Sequence, residues 1–268
     1  AYTVLPPSNL APAPDSPAEL WVTARDGSPP DRLSDGVDLL VHPLWAPDGT
    51  AVIARRVQPD GSFALIRVAI ADGAGTAVIT SSNALFPIAF DPQGALLYAS
   101  ISTTGSDLRR LDAATSADSA VVHLSDDLTR DWTLSPDGAR LAFVALAQSA
   151  QGVASRIAVA DLATGAVTAV DSQGNAFGPA WSADGRLTFG RLTAGGGSIV
   201  AGEGSFPGAR GGFDSPLAWS NAGRVALRTF ETPSLTAPGR ESLTIMTATG
   251  ARRTIASGEV TFIGWTYR

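Results

Sequence analysis

The chain has 268 residues, a formal net charge of −6, 44% hydrophobic residues and only 16% charged residues. The acidic balance, with no basic stripe to offset it, disfavours a nucleic-acid partner, and the absence of cysteine excludes disulfides, a thiol nucleophile and Cys-ligated metals. The 28 Gly and 18 Pro fit many short strands and turns, and no apolar run is long enough to predict a membrane-spanning segment.

The N-terminal lead, residues 1–18, is rich in Ala and Pro. This composition is typical of a linker after an export signal or lipid anchor, or of a surface connection inside the domain that contributes one strand through residues 1–5. The first alternative predicts an extracytoplasmic protein, periplasmic or at the cell surface, either secreted or a lipoprotein. Whether Ala1 is a native N-terminus or a boundary stays open. After the lead, short strands are predicted at 19–25 and 31–34.

One turn motif then recurs along the chain. Each copy has an aromatic or apolar lead residue, a tight turn that ends in Gly, and an alternating strand after the turn. The lead residues are 45, 44, 47, 38 and 46 residues apart, which is the length of one four-stranded propeller blade. The copies are Trp45-Ala46-Pro47-Asp48-Gly49, Phe90-Asp91-Pro92-Gln93-Gly94, Leu134-Ser135-Pro136-Asp137-Gly138, Trp181-Ser182-Ala183-Asp184-Gly185, Trp219-Ser220-Asn221-Ala222-Gly223 and a truncated copy at Trp265.

The chemistry of the turn explains its residues. In the copy at Leu134, Pro136 sets φ, Asp137 is expected to bond to its own backbone, and Gly138 accepts the positive φ that closes a hairpin. Each lead aromatic is expected to be a wedge buried between neighbouring blades, worth roughly 2–3 kcal/mol by area.

The repeat predicts an all-β fold, a six-bladed β-propeller of four-stranded antiparallel blades in one domain over residues 1–268. Five blades are expected at 38–81, 82–126, 127–173, 174–213 and 214–258. The strand at 259–265 is expected to complete the blade begun by the N-terminus, so that pairing of the terminal strands closes the ring. The fourth blade should have poor outer strands, and the fifth carries the longest insertion, 231–240.

The copy at Leu134, followed by Leu141-Ala142-Phe143, and its Trp-led relatives resemble the Trp-Ser-Pro-Asp-Gly repeat of TolB-like β-propellers, and the resemblance covers nearly the whole chain. It implies a non-enzymatic binding module, or scaffold, that docks a protein or peptide partner, as a monomer or as part of a larger complex. A purely structural or accessory domain is a further alternative. The partner-contacting residues of the family cannot be transferred from the hairpin motif alone.

The expected site is the face that carries the second-to-third-strand loops, together with the mouth of the central channel. The phenyl rings among the mouth residues would stack on a ligand or plug the channel. By repeat phase the mouth residues are His42, Phe86, Arg130, Asp131, Phe177 and Asp214. The loops are expected to add Arg55, Arg56, Gln58, Asp107, Arg109, Gln148, Gln151, Glu231 and Arg240.

The alternative function is that of a carbohydrate-active hydrolase or lyase. Two carboxylates about 5–10 Å apart across the channel mouth would serve as acid and base. The carboxylates placed there by repeat phase are Asp38, Asp131, Asp214 and Glu259.

No cofactor is predicted. His42 and His123, the only imidazoles, fall in different blades, so they do not predict a metal centre. Asp126, Asp127 and Asp131 offer oxygen ligands for a structural Ca²⁺, but no Asp-x-Asp-x-Asp-Gly loop supports it. The run Gly195–Gly197 is interpreted as a slack turn, and no Gly-x-Ser-x-Gly elbow or triad signature is present.

Overall fold

A computed structural model describes residues 1–5, 17–24, 26, 28–112, 114–149, 152–171, 175–202 and 204–258. Their regular elements are all strands, so the described residues contain no helix that could cross a membrane. They fall into two compact units, residues 1–123 and 124–268. The prediction of one domain over the whole chain stays a prediction.

The first unit contains three antiparallel sheets. Their strands follow the chain order within each sheet, so neighbours are joined by hairpins. The strands are β1 (Tyr2–Val4), β2 (Pro17–Val22) and β3 (Asp31–Asp38); β4 (Leu44–Trp45), β5 (Ala51–Val57), β6 (Phe63–Ala69) and β7 (Gly75–Ser81); and β8 (Ala84–Phe90), β9 (Leu96–Ser102), β10 (Gly105–Leu111) and β11 (Asp118–Ser125), which runs just past the unit boundary.

The second unit also contains three sheets, each of four antiparallel strands in chain order. The strands are β12 (Leu128–Leu134), β13 (Arg140–Ser149), β14 (Gly152–Asp161) and β15 (Val167–Ala169); β16 (Asn175–Trp181), β17 (Leu187–Thr193), β18 (Gly196–Ala201) and β19 (Gly204–Pro207); and β20 (Phe213–Trp219), β21 (Arg224–Phe230), β22 (Glu241–Thr247) and β23 (Arg252–Ser257).

Six sheets confirm the predicted blade count. Four of the five predicted blade ranges each enclose one four-stranded sheet, and the fifth, 214–258, encloses its sheet except for Phe213, where β20 begins. The sheet β1–β3 has three strands, with β1 paired to β2 through Thr3 and Leu20. The predicted fourth strand at 259–265, with its lead Trp265, lies outside the described residues, so ring closure stays a prediction. The insertion at 231–240 is confirmed, but the shortest outer strand is β15 and not β19 of the fourth blade.

The turns have the predicted chemistry. Asp137 accepts hydrogen bonds from the Ser135 hydroxyl and the Ala139 amide, and these bonds hold the pKa of Asp137 below its ordinary value. The next residue, Gly138, has φ of 71°, in the left-handed region that favours glycine. The local sequence therefore closes this hairpin through its own hydrogen bonds.

The lead aromatics are wedges in the second unit but not at the start of the first. Trp181 is 9% exposed and donates its Nε1–H to the Thr133 carbonyl of the preceding sheet at 3.1 Å. Arg140 of that sheet lies over the same indole, 4.6 Å from its centroid. Trp45 is 41% exposed, so its predicted burial is wrong.

Candidate functional site

The second unit has connections of very different length on the face that carries its second-to-third-strand loops. The β17–β18 turn has two residues outside its strands, whereas ten residues, 231–240, join β21 to β22. On the other side, β13 and β14 have ten residues each, so their hairpin extends about 7 Å further than that of β17 and β18. The long β13–β14 hairpin and the loop 231–240 form two walls on either side of the short β17–β18 turn. We call the space between these walls, with the β17–β18 turn at its floor, the trough.

The wall on the β12–β15 side carries two exposed apolar residues. Leu128 pairs with Leu146, so the two side chains lie on the same face of the sheet. Leu146 packs against the core that this sheet shares with the next one, and this face is therefore directed toward the trough. Val153, opposite Gln148, lies on the same face. Leu128 and Val153 are each 55% exposed. An exposed apolar pair at this position offers a contact surface for a partner.

The opposite wall is a compact loop. The Thr232 amide donates to the Pro238 carbonyl at 3.1 Å, and the Thr232 hydroxyl donates to the Ala237 carbonyl at 2.6 Å. Gly239, with φ of 75°, closes the loop. These internal bonds give the loop a defined shape and hold Leu235 at its outer surface, 45% exposed.

The floor of the trough is built from glycines that let backbones meet. A Cβ on Gly197 would lie 2.6 Å from the Gly212 carbonyl, and a Cβ on Gly212 would lie 1.8 Å from the Phe230 carbonyl. The interpretation of Gly195–Gly197 as a slack turn is therefore wrong at Gly197, where the absence of a side chain permits close packing.

Two of the predicted mouth residues, Phe177 and Asp214, are buried below this face, so their assignment to an open mouth is wrong. Phe177 is 5% exposed because its ring packs 4.9 Å from that of Phe213. Asp214 is fully buried and is paired with both Nη atoms of Arg252. Asp214 also accepts bonds from the Thr229 hydroxyl at 2.6 Å and the Ala209 amide at 2.7 Å, so it is part of the framework.

Arg130 and Asp131 remain near the surface. Arg130 Nε lies 3.7 Å from Asp131 Oδ2, and both side chains are about half exposed. Asp131 has φ of 55° at a register shift in β12, and Gly178 has φ of 61° at the matching shift in β16. The backbone conformation explains a short polar residue at 131, since Asp tolerates the left-handed region better than most side chains.

The remaining predicted residues, His42 and Phe86, lie in the first unit. His42 is exposed between β3 and β4. The half-buried Phe86 ring lies 4.3 Å below the guanidinium of Arg55. Arg55 is 6% exposed within strand β5 and makes two hydrogen bonds to Asp38, so its predicted place in an open loop is wrong. Arg56, Asp107, Arg109 and Gln148 also lie within strands, not in loops. Gln151 lies outside the described residues.

The Asp38–Arg55 pair has counterparts between other sheets. Each counterpart joins a residue near the end of an outer strand to the second strand of the next sheet. They are Asp171 with Arg191, at 2.6 Å, and the neutral pair Asn83 with Ser100, at 3.2 Å.

Burial in arginine pairs removes two carboxylates from the groups that could act as a general acid or base. Of the four carboxylates expected at a channel mouth, Asp38 and Asp214 are buried in arginine pairs and Glu259 lies outside the described residues. Asp131 is the exposed one among the three that the structure describes. Within the described ranges no group of three or more His, Asp or Glu could hold a metal ion, and His123 instead contacts Asp107 at 2.8 Å.

The pair Leu128 and Val153 was not among the predicted site residues. The available signal was the 47-residue spacing after Leu134, the longest of the five, which marks the longer hairpin.

No protein-family model matches the chain, and no curated protein matches its sequence. Solved structures do match. TolB from Acinetobacter baumannii is 18% identical with a TM-score of 0.62, covering 91% of this chain and 60% of that one. The β-propeller domain of the Trilobed protease from Pyrococcus furiosus, with an open velcro topology, is 10% identical with a TM-score of 0.62, covering 90% and 75%. An oligogalacturonate lyase in complex with manganese is 15% identical with a TM-score of 0.57, covering 80% and 64%. The chain therefore has a TolB-like β-propeller fold.

Proposed function

We propose that this chain is a non-enzymatic binding module that docks an extended protein or peptide segment in the trough. The observation that carries the proposal is the exposed apolar pair Leu128 and Val153 on the wall that faces a glycine-built floor. Apolar side chains of the partner would cover this pair, and the partner backbone would lie over the floor, which is low because the β17–β18 turn has only two residues outside its strands.

The same geometry argues against the hydrolase or lyase alternative. A general acid and base need carboxylates within reach of a substrate. Asp38 and Asp214 are instead held by arginines in the protein interior. The fold is shared by TolB and by a lyase, so fold alone does not choose between binding and catalysis. We therefore favour binding on the loop face.

The proposal is tested by selecting peptides from a random phage-displayed library against the purified chain and measuring their Kd by isothermal titration calorimetry. The double variant Leu128→Asp/Val153→Asp should weaken binding at least tenfold, about 1.4 kcal/mol, because it places charge on the apolar wall. Val167→Asp is the matched control, since Val167 is 40% exposed on β15 of the same sheet.

Unchanged affinity in the double variant, with an unchanged melting temperature, would exclude the trough as the docking site. An equal loss in Val167→Asp would attribute the effect to net charge. The proposal also places the protein outside the cytoplasm, periplasmic or at the cell surface, as a monomer or a subunit of a larger complex; fractionation of the native host and size-exclusion chromatography check these two points.

A further inference from the structure

The first unit contains a cleft on the face opposite its second-to-third-strand loops, at the junction of the sheets β4–β7 and β8–β11. Its volume is about 560 Å³, which is the size of a small-molecule site. The inner walls are apolar: Ile53 and Leu96 are each 3% exposed, Leu111 is 5% exposed, and Phe90 and Val78 also line the cleft.

An internal comparison shows what opens this cleft. The junction of β16–β19 with β20–β23 has a cavity of about 290 Å³ in the same place. There Trp219 donates its Nε1–H to the buried Thr188 hydroxyl at 3.1 Å, and Phe206 of the outer strand lines the same space. The register of β17 on β16 makes Thr188 the counterpart of Ile53 in the first unit.

Three smaller or less polar residues therefore distinguish the larger cleft. Phe90 stands where Trp219 stands, Ile53 replaces the hydroxyl acceptor, and the outer strand contributes Val78 where β19 contributes an aromatic ring. Among the described residues that line the cleft no polar side chain is buried, so the interior suits the apolar ring of a ligand and not a sugar or a nucleotide.

The rim of the cleft supplies one cation. Arg67 is 42% exposed; among the described residues it donates one hydrogen bond, to the Thr50 hydroxyl at 2.8 Å, and its Nη2 lies 3.8 Å from Asp48. The two rim carboxylates are engaged in their own turns. Asp48 accepts the Thr50 amide, and Asp112 Oδ1 accepts three bonds from residues 114 and 115. Arg67 is therefore the rim group with donors to offer an anion.

We propose that this cleft binds a small aromatic carboxylate, with its ring against Phe90 and Val78 and its carboxylate on Arg67. The site is independent of the trough, because it lies in the other unit and on the opposite face of its sheets.

The probe is 2-naphthoate, titrated into the ¹⁵N-labelled full chain by NMR, with 2-naphthylmethylamine as a cation of similar shape and 2-naphthalenemethanol as the neutral analogue. Amides of residues 46–53, 76–78 and 90–96 should shift, and naphthoate should bind more tightly than either analogue. Phe90→Trp and Val78→Phe should each weaken naphthoate about tenfold or more by filling the cleft, and Arg67→Gln should abolish the preference for naphthoate over the alcohol. Val167→Phe, the same enlargement on β15, should have no effect.

Unchanged affinity in both filling variants would overturn the site, since either ring removes the space for the ligand. Equal affinity for the amine and the carboxylate would overturn the role of Arg67. Shifts confined to other residues, or no shifts at millimolar naphthoate, would overturn the proposal as a whole. Melting temperatures equal to wild type establish that the variants are folded.

Discussion

Removal of the Asp214 carboxylate should destabilise the protein strongly. Asp214 is 0% exposed and joins Arg252, the Thr229 hydroxyl and the Ala209 amide. Asp214→Ala leaves these three donors without their acceptor and Arg252 without its counter-ion. Breaking a buried pair by removing one partner costs about 3–5 kcal/mol. For a chain of this size each kcal/mol lowers the melting temperature by roughly 2–4 °C, so a drop of about 6 °C or more is expected.

The assay is urea unfolding at neutral pH, followed by tryptophan fluorescence, with thermal melting in parallel. Asp131→Asn is the control, because this carboxylate is 44% exposed and should change the free energy of unfolding by less than about 0.5 kcal/mol. Arg252→Ala should also destabilise, and the double variant should lose less than the sum of the two single losses. A loss below about 1 kcal/mol in Asp214→Ala would refute the assignment of Asp214 to the framework.

Three further predictions follow from single residues. Gly178→Ala should lower the free energy of unfolding by about 2 kcal/mol or more in urea, because φ is 61° and the new Cβ would lie 2.4 Å from the Ser215 hydroxyl; a neutral effect would contradict this backbone. Burial and the hydrogen bond to Asp118 raise the pKa of Tyr98 far above its ordinary value, so this phenol should stay protonated in the folded protein up to about pH 11. Tyr98→Phe should therefore leave the rise in 295-nm absorbance, which reports tyrosine ionisation, unchanged in the folded protein up to that pH and should reduce the rise in guanidinium. A reduced rise in the folded variant would contradict the raised pKa. The folded pKa of Asp137 is lowered, so its stabilising contribution is present above its unfolded pKa of about 4 and is lost as the pH falls through the folded value; Asp137→Asn should therefore be less stable than wild type at pH 7 and equal to it in strong acid, as measured by thermal melts across that range.

The sequence predicts the sheets well because each hairpin is specified by its own residues. Asp137 and Gly138 determine one turn without help from distant parts of the chain. The spacing of such turns then gives the length of every blade, and the structure confirms six sheets.

The candidate site could be predicted only in part, because burial depends on partners that are distant in sequence. Repeat phase places Asp214 near a loop, but Arg252, 38 residues away, is what makes it a buried framework residue. Arg55 was expected in a loop, and its pairing with Asp38 explains why a charged residue lies inside β5.

The three pairs described above, each of which joins one sheet to the next, are of two kinds. Asp38 with Arg55 and Asp171 with Arg191 are charged, whereas Asn83 with Ser100 is neutral. A repeat chain is prone to pair the wrong neighbours while it folds, since its units are alike. A sheet that offers a buried arginine to an asparagine would leave the charge unmatched, at a cost of several kcal/mol. The contrast between charged and neutral junctions therefore disfavours some of the wrong pairings that would be open to the sheets while the chain folds.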